Sequence, residues 1–131
     1  MAIRGTILAA ILVALAWIVA QPSVAADRKI YDPAALAAEQ QAGKSVVVHV
    51  TAPWCPTCKA QKPILDKLAA DPAFKDFVIF DLDFDTGGSA LRALNARSQS
   101  TLIVFKGEKE TGRSVGDTNA DSISELLATA R

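Results

Sequence analysis

The sequence is poor in the sulfur and imidazole ligands of structural zinc: it has two cysteines and one histidine in 131 residues. A structural zinc site needs four ligands, commonly two cysteine pairs, and this supply falls short. Neither sign of charge is in excess, with 14 basic and 14 acidic residues. A nucleic-acid-binding face or a charged tail therefore has no basis in composition. No glycine-rich dinucleotide fingerprint occurs, so flavin or nicotinamide chemistry is not expected. Repeats and low-complexity tracts are also missing, and the length fits one domain.

Charge is absent altogether from Gly5 to Ala20, an apolar run preceded by Arg4. Gln21-Pro22-Ser23-Val24-Ala25-Ala26 follows, a helix-breaking stretch that ends in small residues. This three-part order is that of a secretory signal peptide, with Ser23-Val24-Ala25 as the expected cleavage site. The competing reading is an uncleaved membrane anchor, but the run is shorter than the roughly 20 residues a spanning helix needs. Residues 1–26 are thus expected to be a leader and residues 27–131 an exported domain, with the periplasm as its compartment. Loss of Arg4 leaves the domain with a net charge close to −1.

Asp32-Pro33 reads as a helix cap followed by proline at the first helical position, with helix to Ala42 and a stop at Gly43. Ser45 to Val50 is a β-branched run of buried-strand length, and Thr51 to Trp54 is the turn that leaves it. Helix is expected from about Cys55 to Ala70, with Ile64, Leu65 and Leu68 on one face and Pro63 as a kink. Asp71-Pro72 ends it. Strands are expected over 77–84, 101–106 and 110–115, with short helix over 89–95 and a last helix over 121–130. Ser122 and Glu125 have capping-box spacing at the start of that last helix. Alternating helix and strand implies a parallel section of sheet with helices on both faces; the closing strand–turn–strand implies an antiparallel edge.

Cys55-Pro56-Thr57-Cys58 follows the first strand and opens a helix. The default reading of a cysteine pair in an exported protein is a structural disulfide. A bridge this short constrains little of the unfolded chain, so reactivity is the better reason for it. Unpaired amides and the macrodipole at a helix N-terminus favour a thiolate, the attacking species. Cys55 is expected to be the nucleophile, and Cys58, one turn further in and less exposed, the resolving thiol.

Trp54-Cys55-Pro56-Thr57-Cys58-Lys59 resembles the active-site motif of the thioredoxin family. The resemblance extends from about Ser45 to the C-terminus. Pro63 falls on the kinking proline of that family's active-site helix, Thr101 to Gly107 resembles the strand after its substrate-binding loop, and Gly116 falls on a groove glycine. The resemblance implies a three-layer α/β/α fold around a mixed sheet. It also implies a substrate surface that includes Trp54, Pro56, Thr57, Ser100, Thr101 and Gly116.

The chain departs from the family pattern in two respects, at three positions. His49 stands six residues before Cys55, where thioredoxins bury an acid that relays a proton for the resolving cysteine. Asp81 stands where they place a lysine facing that acid. Histidine side chains titrate near neutral pH. Asp81 would hold His49 in one tautomer and leave the other ring nitrogen free to take a proton from Cys58. The rival reading makes Asp81 part of a solvated strand face, Asp81-x-Asp83-x-Asp85. Secondly, Ser100 replaces the cis-proline before Thr101. Either a costly cis bond is kept there, or the loop is trans and the groove is reshaped.

These features point to a thiol–disulfide oxidoreductase acting on protein thiols and disulfides, expected to be a monomer and to need no cofactor beyond Cys55 and Cys58. A reductase or electron-transfer role is favoured, similar to exported thioredoxin-like proteins that serve cytochrome c maturation. A membrane thiol–disulfide carrier would then supply electrons. The alternative is a binding module in which the pair holds copper(I) or bridges an iron–sulfur cluster.

Overall fold

Val46, Val47 and Val48 are stiff at χ1 and pack better on a pleated strand than in a helix. A computed structural model describes residues 25–131, and these valines lie at the centre of its sheet. The expected leader, residues 1–26, falls almost wholly outside the described residues. In chain order the elements are β1 (Asp27–Ile30), α1 (Pro33–Gln41), β2 (Ser45–Thr51), α2 (Pro56–Ala69), a 3-10 turn (Pro72–Phe74), β3 (Phe77–Asp83), α3 (Gly88–Ala93), β4 (Thr101–Lys106), β5 (Lys109–Val115) and α4 (Ala120–Ala128).

The five strands lie in the order β1-β3-β2-β4-β5. β1, β3 and β2 are parallel, β4 runs antiparallel to β2, and β5 antiparallel to β4. Alternation along β2 divides the core. Val46, Val48 and Val50 pack with Leu36 of α1 and Leu91 of α3. Val47 points the other way, into a cluster with Leu65 of α2 and Ile123 and Leu127 of α4. The result is the expected three-layer architecture. His49 shares the parity of Val47 and so lies under α2, the helix that carries the cysteines.

The caps explain where helices begin. Asp32 accepts from Ala35 N at the start of α1, and Pro33 follows it. Gly43, at φ +72°, turns the chain out of that helix in a conformation that L-residues rarely adopt. At α4 the expected cap is corrected: Asn119, not Ser122, is the N-cap, and its side chain accepts from Ser122 N. Asn119 is the better acceptor because its amide oxygen reaches the free amide three residues on. Pro63 lies inside α2 without ending it. β1 was not anticipated, and it brings Arg28 to the sheet beside β3.

Candidate active site

Cys55 is the N-cap of α2, and Pro56 takes the first helical position. Its amide donates to Ala52 O at 3.2 Å, closing the turn out of β2. Its Sγ accepts from Cys58 N at 3.1 Å. The sulfur thus occupies the place where capping oxygens usually sit, against one of the amides the helix leaves unpaired. Cys55 and Cys58 form a disulfide, with Cα atoms 5.3 Å apart.

The expected contrast in exposure between the cysteines is corrected. Cys55 is 1% exposed and Cys58 2%. Cys55 is enclosed because its sulfur turns inward to Cys58, and both pack with Ala52 and Phe84. A cleft of about 230 Å³ reaches the pair from the Cys58 side, lined by Arg28, His49, Thr51, Lys59, Lys62 and Asp81.

His49 and Asp81 are directly paired in register across β2 and β3. His49 Nδ1 lies 3.1 Å from Asp81 Oδ1. Arg28 grips the same carboxylate, donating from Nε to Oδ2 at 2.7 Å and from Nη2 to Oδ1 at 2.8 Å. Partial burial opposes ionisation of Asp81. Hydrogen bonds from His49 and Arg28, with the Arg28 charge, outweigh it and hold the carboxyl well below the usual carboxylate range. Asp81 is therefore not merely part of a solvated face. Asp83 and Asp85 are turned to other partners: Asp83 Oδ1 accepts from Asp85 N and Thr86 N, and Asp85 accepts from Trp54 Nε1 at 2.9 Å.

The free ring nitrogen expected on His49 is a second correction. Nε2 lies 3.1 Å from Gln61 Oε1, so that nitrogen is already engaged. Gln61 is fully buried on α2, where the sequence reading had only apolar residues on the inner face. Its position in line with Cys58 and Leu65 was the signal that could have found it, since a glutamine on that stripe needs polar partners. Arg28 had no such signal, because a four-residue, largely charged segment does not read as a strand.

Ser100 adopts φ +55°, and no cis peptide bond occurs among the described residues. The peptide bond before Ser100 is trans. A left-handed serine costs about 1–3 kcal/mol unless its surroundings hold it. Here Gly116 N and Gln61 Nε2 both donate to Ser100 O, each at 3.0 Å. Gly116, itself at φ +73°, is thereby drawn against Ser100. Thr101 begins β4 opposite Val115, and its hydroxyl donates to Ser98 O at 2.7 Å. Trp54 is 55% exposed and Pro56 is exposed, while Thr57 is half-buried. Trp54, Pro56 and Thr57 frame the cysteine turn; Ser100, Thr101 and Gly116 meet at the β4–β5 end.

Among the described residues no three His, Cys, Asp or Glu side chains converge as a metal site. Cys55 and Cys58 are bonded to each other, and nothing in the site favours the metal-module alternative.

The Thioredoxin family model matches residues 32–129 of this chain. This chain belongs to the thioredoxin family. A thioredoxin of Chlamydia muridarum is 36% identical over 91 residues, covering 70% of this chain and 87% of that protein. The crystal structure of Trxlp from Edwardsiella tarda superposes with a TM-score of 0.76 at 39% identity, covering 77% of this chain and 98% of that one. Thioredoxin NaTrxh of Nicotiana alata, at 22% identity and a TM-score of 0.70, covers 81% of this chain and 95% of its own, and shares the fold. Like its thioredoxin relatives, the protein is a thiol–disulfide oxidoreductase. It needs no cofactor, because the redox-active disulfide is part of the chain.

Proposed function

We propose that this protein is an exported reductase of protein disulfides that works as a monomer in the periplasm. The observation that carries the reading is the Cys55 sulfur at the N-terminus of α2, accepting from Cys58 N and bonded to Cys58. In the reduced protein that position favours a Cys55 thiolate.

The thiolate attacks one sulfur of a substrate disulfide. The substrate S–S bond breaks, a Cys55–substrate bond forms, and the departing sulfur takes a proton. Cys58 then attacks Cys55 Sγ and displaces the second substrate sulfur. The substrate has gained two electrons and two protons, and the protein is left as the Cys55–Cys58 disulfide. Electrons for the next cycle come from a membrane thiol–disulfide carrier, since the sequence has no dinucleotide fingerprint.

Identity to thioredoxins supports the reducing direction, and the order of residues 1–26 supports export. Equilibration with a glutathione series tests the direction. A potential more reducing than the glutathione couple supports a reductase; a strongly oxidising one overturns it. Fractionation of cells expressing the full chain tests the compartment. Recovery from the periplasm without the leader supports export, and retention in the cytoplasm overturns it.

A further inference from the structure

Gln61 sits one turn after Cys58 and is 0% exposed. Both protons of its side-chain nitrogen are used: Nε2 donates to Ser100 O at 3.0 Å and to Asp117 O at 2.8 Å. Those carbonyls lie in the loops before β4 and after β5. The amide cannot be turned over, because its oxygen would then face two carbonyl oxygens. Gln61 Oε1 is therefore the atom toward His49 Nε2, and it can only accept. His49 Nε2 therefore faces an acceptor.

The other ring nitrogen is constrained in the same way. Its neighbour, Asp81, is gripped through both oxygens by Arg28, which holds it as a carboxylate, and a carboxylate only accepts. Nδ1 therefore also faces an acceptor. The charge in contact with the ring is the carboxylate of Asp81. Asp81 faces the ring from β3 and Arg28 lies beyond on β1. Lys59 and Lys62 of α2 stand at the cleft rim, and Asp66 pairs with both Arg28 and Lys62.

We propose that Gln61 is a positioning residue that keeps His49 doubly protonated beside Cys58 and ties that charge to the loops of the substrate groove. His49 then acts on the resolving step by stabilising the Cys58 thiolate, and the proton of Cys58 leaves through the cleft. Displacement of the Ser100 or Asp117 carbonyl by a bound substrate chain would pull on the same amide. The inference rests on the protein being a thiol–disulfide oxidoreductase with Cys58 as its resolving thiol.

The test is nitrogen-15 NMR of the imidazole in the oxidised full domain at neutral pH, with two variants. Wild type should show a one-bond N–H coupling at both ring nitrogens; a single protonated nitrogen overturns the proposal whether or not any variant folds. Gln61→Leu should lose the Nε2 proton and slow single-turnover resolution about tenfold, by removing a favourable neighbouring charge. Gln61→Glu keeps an acceptor for His49 but gives up the donors to both loops. It should retain both ring protons, while KM for a protein disulfide rises. A folded Gln61→Leu protein with both ring protons and an unchanged pH profile overturns the proposal. The wild-type spectrum needs no turnover. Failure of wild type to exchange disulfides would sink the functional reading and leave the ring-proton result standing.

Discussion

Replacing Asp81 by Asn should destabilise the fold by about 2 kcal/mol at neutral pH. Asn keeps the size and removes the charge. Asp81 accepts from Arg28 at 2.7 and 2.8 Å and lies 3.1 Å from His49. Hydrogen bonds to charged groups contribute about 1.5–3 kcal/mol each. The side chain is 30% exposed and Arg28 keeps its bond to Asp66, so solvent screening and the surviving partner reduce the sum. The folded carboxyl is held below its unfolded value of about 3.9. Its contribution is present above the unfolded value and is lost as pH falls through the folded one. Urea denaturation of both proteins across pH 7 to pH 2 is the assay. The stability gap should be full at neutral pH and should narrow in acid. Equal stability at neutral pH, or a gap that widens on acidification, would refute the reasoning.

Ser100→Pro should lower stability by more than about 1 kcal/mol, because proline cannot adopt φ +55°; Ser100→Gly should be neutral or stabilising by up to about 1 kcal/mol, and thermal unfolding compares them. Asn119→Ala should remove the α4 cap at a cost of about 1 kcal/mol, again read by denaturation, whereas Ser122→Ala should cost less because Ser122 is not the cap. His49→Ala should slow the resolving step more than the first attack with the fold retained, which rapid-quench kinetics of mixed-disulfide decay would show; equal slowing of both steps counts against a role beside Cys58.

The central strands and the cysteine turn were legible because their signals are local. The valine run marks β2, Asp32-Pro33 marks the start of α1, and the four residues Cys55 to Cys58 mark a helix start with chemistry. The pairing of His49 with Asp81 was legible only through resemblance, since it depends on the register of two parallel strands far apart in sequence. What escaped is non-local. β1 earns its place by pairing with β3 rather than by its own composition, so Arg28 could not be foreseen as the clamp on Asp81. Gln61 was missed because its partners lie in distant loops, although its place in line with Cys58 and Leu65 marked it as a buried polar residue. The conformation of Ser100 escaped for a related reason: the bonds that hold its carbonyl come from α2 and from the loop after β5.

The assignment of Cys55 as the attacking sulfur can be tested most directly by trapping. Reduced Cys58→Ser and Cys55→Ser proteins are each mixed with a disulfide-containing protein, and mixed-disulfide formation is followed by mass spectrometry. The Cys58→Ser protein should form the adduct rapidly at Cys55, and the Cys55→Ser protein should form it far more slowly. The cleft beside Cys58 makes the opposite ranking a real alternative: adduct formation as fast or faster through Cys58 would contradict a nucleophile at the helix cap.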